Sequence, residues 1–226
     1  MKKILTAILR FFERLIFAPR VPVGTPPGKE ANTREASRED REAAEVKEEP
    51  KLKVAISSGH GSRVPGACGF INEVREARRV VRQVAGFLKA RGVSVADFHD
   101  DASVTPADNL AAIVGWHDAQ ERDVDISVHF NSFHDPAAHG TEVLFRTGAS
   151  RGYAERFSRV IAGAGTFRDR GARHRSDLFV LNRLTSRPAI LLEICFISNE
   201  NDANLYNANF GRICAAIADE LAGLGS

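Results

Sequence analysis

Eight consecutive residues near the C-terminal end, Ala189-Ile190-Leu191-Leu192-Glu193-Ile194-Cys195-Phe196, hold one polar side chain. A near-continuous apolar run of this length reads as a strand buried on both faces, and such strands belong to sheets covered by helices on each side. The rest of the body supplies the partners. Residues 52–57 form a short apolar run that stops at Ser58-Gly59-His60-Gly61, a strand feeding a loop. Over 72–91, Val74, Ala77, Val81, Val84, Ala85 and Leu88 recur at three- and four-residue steps until Gly92, which predicts a helix and its stop. Residues 93–98 read as a second strand. Thr105-Pro106 is an N-cap followed by a first-turn proline, opening a helix to about Gln120. Residues 124–130 and 141–146 read as strands, and 150–164 and 209–224 as helices. The expected fold is therefore α/β: a single central mixed, mostly parallel sheet with helices on both faces, preceded by an amphipathic helix and a disordered linker.

Composition removes several classes of function. The chain has 226 residues with 31 Lys and Arg against 29 Asp and Glu, and this balance gives no basic footprint for nucleic acid. Three cysteines without a Cys-x-x-Cys pair argue against a disulfide framework and a cysteine zinc knuckle. No apolar run reaches the roughly 18–20 residues that span a bilayer.

Four residues stand at or near carboxyl ends of strands, where sites gather in such sheets. His60 follows the first strand, Glu73 opens the first long helix, His129 ends the third strand, and Glu193 interrupts the apolar one. A carboxylate inside a buried strand costs several kcal/mol unless it is paired or bound to a cation. Two histidines and a carboxylate form a ligand set for catalytic zinc, with a fourth place left for water, and a second carboxylate can serve as general base. Each residue alone also has an ordinary role open to it. A strand-end histidine can be a satisfied structural group, and Glu73 an acid favoured at a helix start. Asn131, two residues after His129, shares its side of the strand and is a candidate for the metal's surroundings or for substrate. His117, beside Trp116, reads as packing or substrate-side. His99, His134, His139 and His174 read as exposed loop side chains. Arg168, Arg170, Arg173 and Arg175 read as a solvated basic loop, with contact to an acidic peptide as the alternative.

The ordered stretches Val54-Ala55-Ile56-Ser57-Ser58-Gly59-His60-Gly61, Gly69-Phe70-Ile71-Asn72-Glu73, Ile126-Ser127-Val128-His129-Phe130-Asn131, Gly140-Thr141-Glu142-Val143 and Pro188 to Asn199 resemble the zinc-dependent N-acetylmuramoyl-L-alanine amidases, the peptidoglycan-cleaving enzymes of bacterial autolysins and phage endolysins. The resemblance covers 51–226. It implies that His60, Glu73 and His129 bind Zn2+, that Glu193 is the catalytic acid/base, and that the substrate is peptidoglycan in the cell wall or periplasm. Glu76 rivals Glu73, but the family's distance from ligand glutamate to helix-closing glycine fits Glu73 to Gly92. The chain departs from the family in having Phe98-His99-Asp100 and Gly115-Trp116-His117 where many members carry an arginine and an Arg-x-x-Ala-Asn run. The competing functions are another zinc amide hydrolase, such as a small peptidase or deacylase, and a non-catalytic wall-binding or membrane-tethered protein. A bacterial enzyme and a phage enzyme held in the cytoplasm until lysis both fit.

The first 50 residues differ in kind. Residues 1–20 carry five bases and one acid, and Ile4, Leu5, Ile8, Leu9, Phe11, Phe12, Leu15 and Ile16 share one arc of a helix. The start resembles a secretory signal, but Arg10, Glu13 and Arg14 interrupt its apolar stretch and no Ala-x-Ala site follows. Such a helix either lies in a membrane interface with its bases toward anionic lipid or packs on a protein surface. Residues 21–50, with five bases and eight acids and almost no large apolar side chain, read as a charged flexible linker. A peptide of residues 1–25 is expected to co-sediment with vesicles containing anionic lipid and to release at high salt. Recovery in the supernatant regardless of lipid would leave the protein-packing reading.

Overall fold

In the computed structural model the described residues are 52–225, so the helix expected over 1–20 and the linker over 21–50 lie outside them. Six strands alternate with helices: β1 (Lys53–Ser58), α1 (Glu73–Ala90), β2 (Ser94–Phe98), α2 (Pro106–Asp118), β3 (Val124–Asn131), β4 (Thr141–Phe145), α3 (Gly148–Gly165), β5 (Asp169–His174), α4 (Phe179–Arg183), β6 (Ala189–Phe196) and α5 (Glu200–Ala222). They form one sheet in the order β2-β1-β3-β6-β4-β5. The first four strands run parallel, β4 runs antiparallel to β6, and β5 runs parallel to β4. The sheet is mixed and mostly parallel, as the alternation predicts. Among the described residues no helix is long and apolar enough to cross a membrane.

Period-2 alternation sorts the strands into two cores. Val54, Ile56, Ile126, Val128, Ile190, Leu192 and Ile194 pack with Val80, Val84 and Leu88 of α1, Phe157 and Ile161 of α3, and Tyr206, Ile213 and Ile217 of α5. On the other face Leu144, Ala189 and Leu191 pack with Ile113 of α2 and Val180, Leu181 and Leu184 of and just after α4. Glu193 alternates with the first set and so emerges on the second face. Local signals set the helix ends. Asn72 caps α1 by accepting from the Arg75 N–H at 2.9 Å, and Thr105 caps α2 by accepting from Asp108 at 3.2 Å. Gly92, at φ +73°, takes the left-handed turn after α1.

The second face also buries a polar chain. His117 of α2 stands with Nδ1 2.7 Å from Asp125 Oδ1 of β3 and Nε2 2.9 Å from Ser57 Oγ of β1. Arg122 adds Nε–H to the same Asp125 oxygen at 2.6 Å and spans to Asp118 at 2.7 Å. Ser57 and His117 are 0% exposed and Asp125 1%, so this Ser-His-Asp arrangement has no path for a substrate. It ties α2 to two adjacent strands, which resolves the His117 reading in favour of packing.

Three segments differ from expectation. The basic loop is in part a strand, β5, which contains His174. It escapes the pattern because it is an edge strand without apolar alternation, and Gly171 at φ +79° accompanies a register shift against β4. The short α4 was too brief to show a period. The last helix starts at Glu200, not near 209: its Asn-rich first turns have weak propensity, but Asn199 caps it by accepting from the Asp202 N–H, and buried Asp202 in turn accepts from the N–H groups of Gly140 and Phe196. His99 is half-buried rather than exposed, with Nδ1 3.0 Å from Ser58 Oγ.

His117→Leu should leave Asp125 with Arg122 alone and lower stability by about 2–4 kcal/mol. Urea unfolding at neutral pH measures this.

Candidate functional site

The carboxyl ends of β1 and β3 and the amino end of α1 meet at one point. His60, Glu73 and His129 each offer one ligand atom there, and those atoms all lie within 4.8 Å of one another. Glu73 Oε1 sits 3.3 Å from His60 Nε2 and 3.2 Å from His129 Nδ1. The two rings meet edge to face with centroids 5.2 Å apart. Backbone groups hold the carboxylate: the Ala67 N–H donates to Oε2 at 2.8 Å and the Phe130 N–H to Oε1 at 3.2 Å. Glu76, the alternative on the same helix, is elsewhere. It accepts from Arg75 at 2.7 Å and from the Tyr206 hydroxyl at 3.0 Å, and it also pairs with Arg79.

The loop that carries His60 is pinned at both ends. The Gly59 N–H donates to the Val128 carbonyl and the Ser62 N–H to the Asp100 carbonyl, each at 3.0 Å. Asp100 is itself fixed. Burial would push its carboxyl up, but hydrogen bonds from Asn109 of α2 and from the Ser103 and Ala102 segment outweigh this and hold it at about 2. Two glycines leave room for the cluster. A Cβ on Gly59 would stand 1.9 Å from the His129 ring, and one on Gly66 would stand 2.6 Å from Glu73 Oε2 and 2.8 Å from His60 Cδ2. A larger residue at either position would have to displace a side chain of the cluster.

The electrostatics suit a cation. Burial would raise the Glu73 carboxyl, but hydrogen bonds and charge from His129 and His60 win and hold it well below the usual carboxylate range. Burial pushes the His129 imidazole down, partly offset by Glu73, so its neutral form prevails at neutral pH. An anionic carboxylate and a neutral imidazole are the protonation states that metal binding requires. The donor set therefore fits a metal ion.

Glu193 stands beside this cluster by register. Its Cα pairs with His129 across β3–β6 and with Glu142 across β4–β6. Glu193 Oε2 is buried with no hydrogen-bond partner. Burial, reinforced by Glu73 and Glu142 and partly opposed by Arg175, raises its carboxyl well above the usual range. Asn131 is on this face too, but it reaches Glu142: its Nδ2 donates to Glu142 Oε1 at 2.9 Å. A register shift after His129 brings Asn131 opposite Phe196.

Sequence reading assigned no role to Glu142, although it is the same kind of signal as Glu193, a carboxylate in an otherwise apolar buried strand. Arg170 donates to its other oxygen at 2.7 Å and lies over the Phe196 ring, 4.9 Å from the centroid. These residues, with Asn131, Phe133, Ala138 and Arg175, line a pocket of about 390 Å³.

The family model for N-acetylmuramoyl-L-alanine amidases matches residues 54–222. The chain belongs to this family. It is 32% identical over 164 residues to an uncharacterized 38.4 kDa protein of Clostridium perfringens, covering 69% of this chain and 46% of that one, so it spans about half the relative's length. Among solved structures it resembles the catalytic domain of CwlV, an N-acetylmuramoyl-L-alanine amidase of Bacillus (Paenibacillus) polymyxa. The TM-score is 0.67 at 28% identity over 76% of this chain and 98% of that one. It resembles the amidase AmiC2 of Nostoc punctiforme equally well by TM-score, 0.67 at 26% identity over 76% and 96% of the two chains. The family's sheet and helices are thus those described above.

Gly59→Ala is expected to displace the His129 ring and cut retained divalent metal by tenfold or more, on the order of one lost ligand's worth of affinity. Circular dichroism should show the fold retained, and elemental analysis after gel filtration reads the metal.

Proposed function

We propose that this amidase-family chain hydrolyses the amide bond between N-acetylmuramic acid and L-alanine in peptidoglycan, with His60, Glu73 and His129 holding Zn2+ and Glu193 moving the proton. The observation that carries the reading is the register of β6. It sets the half-buried Glu193, of raised proton affinity, on the strand next to His129, with its buried Oε2 unpartnered. Bound zinc would supply Lewis acidity, making a water acidic near neutral pH and polarising the substrate carbonyl.

The protein's own groups divide the remaining work. Glu73, fixed by the Ala67 and Phe130 N–H groups, keeps its charge and so stays available as the anionic ligand between the two histidines. Glu193 accepts the proton of the attacking water and then returns it to the nitrogen leaving the carbonyl. A carboxyl with ordinary proton affinity would take the proton readily only in acid; burial brings Glu193 closer to neutral working pH. Ser127 Oγ, 3.2 Å from His129 Nε2, and Gly59 behind the ring hold that imidazole in orientation. The site acts on wall material, so the setting proposed is the cell wall or periplasm. The part played there by residues 1–20 rests on their amphipathic pattern alone.

Glu193→Gln should reduce muropeptide release from purified peptidoglycan by about 10²–10⁴-fold while zinc stays bound. His60→Ala should lose both zinc and activity. Turnover by Glu193→Gln at the wild-type rate would refute the proton-transfer role.

A further inference from the structure

The pocket on the β4–β5 side of Glu193 is built for charge. Two guanidinium groups, Arg170 and Arg175, line it against one carboxylate, Glu142. Both oxygens of Glu142 are already taken, Oε1 by Asn131 and Oε2 by Arg170 Nε. Arg170 lies over the Phe196 ring and spends one bond, from Nε, on Glu142, so its two Nη groups remain for a ligand. Arg175 spends Nε and Nη2 on Asp177, an exposed partner two residues away, and keeps Nη1. A planar donor fork held in place by stacking and a charge partner is the arrangement that recognises carboxylates with two parallel bonds.

Position tells which carboxylate. The His60-Glu73-His129 cluster lies on the β3 side of Glu193 and the pocket's charged residues, Glu142, Arg170 and Arg175, on the β4 side, with Asn131 and Phe133 reaching in from the end of β3. A substrate with its carbonyl at the cluster and its nitrogen over Glu193 therefore sends the chain beyond the nitrogen toward β4 and β5. Adjacent strands are about 4.8 Å apart, so the pocket is about 5–10 Å from the scissile nitrogen. One extended residue covers about 3.5 Å, which brings the second residue of the stem into the pocket. In peptidoglycan that residue is a γ-linked glutamate whose α-carboxyl is either free or amidated. Phe133, 51% exposed at the pocket rim, offers an apolar wall for the stem's side chains.

We infer that the pocket is a carboxylate subsite that reads the α-carboxylate of this second stem residue through Arg170 and Arg175. The inference rests on the amidase reading of the neighbouring cluster. It makes the enzyme selective for stems with a free acid over stems amidated at that position.

Two soluble substrates test it, N-acetylmuramoyl-L-alanyl-D-glutamate and the same molecule with the α-carboxyl as its amide. The wild-type protein with zinc should favour the acid in kcat/KM by about 10–100-fold, the range for a charge-assisted pair. Arg170→Gln and Arg175→Gln should bring that ratio toward one, and loss in either variant supports the subsite. The ratio within one preparation does not depend on how much of a variant is folded. Equal rates on the two substrates with wild type, a preference for the amide, or an unchanged ratio in both variants overturns the subsite while leaving the amidase reading intact. Hydrolysis of neither substrate by zinc-loaded wild type would instead overturn the amidase reading, and the subsite with it.

Discussion

The pairing of β3 with β6 at the centre of the sheet is the contact on which the rest of the structure depends. Both strands are buried on two faces, so their registers are fixed by apolar side chains that cannot change sides. One residue of slip would turn Ile190, Leu192 and Ile194 out of their core and carry His129 away from Glu193. The same hydrophobic burial that stabilises the domain thus sets the lateral distance between His129 and the ionisable carboxyl of Glu193. It also removes the water that would otherwise keep that carboxyl acidic. Packing and proton affinity are two results of one register.

Much of this was legible from residues. The apolar run with Glu193 in its middle announced both the sheet type and its functional exception, because a carboxylate is not placed in such a run without cause. His60 and His129 were visible as polar residues at strand ends, and Asn72 and Thr105 as helix starts. What could not be read was everything that depends on distance across the chain. Glu73 and Glu76 are one turn apart with similar flanks; the family resemblance favours Glu73, and the structure adds that Glu76 is held by Arg75, Arg79 and, 130 residues further on, Tyr206. Gly59 and Gly66 look like loop glycines in sequence, and their function is to be small beside a ring and a carboxylate that arrive from other elements. The strand β5 was invisible because an edge strand with one neighbour has no need of alternating apolar side chains.

The departures from the family's usual pattern also find a place. His117, in the departing Gly115-Trp116-His117 stretch, brings with it a buried chain through Asp125 and Arg122 to Asp118. Buried hydrogen-bonded chains of this kind rigidify the elements they join, here α2 against β1 and β3. Those are the strands whose ends carry His60 and His129. The trio has the composition of a hydrolytic triad and none of its access, so its contribution is to alignment.

The antiparallel turn of β4 has an effect on how such a protein can change. The His-Glu-His cluster and Glu193 are set by the sheet's interior, where every strand has two neighbours and each side chain answers to several others. The arginines beside them stand on or just after β5, which hydrogen-bonds to β4 alone. Substitutions there meet fewer constraints. The cluster is therefore conservative by construction and the neighbouring surface free to drift, a division of labour by which, on the function proposed here, one core can be fitted to walls of different make.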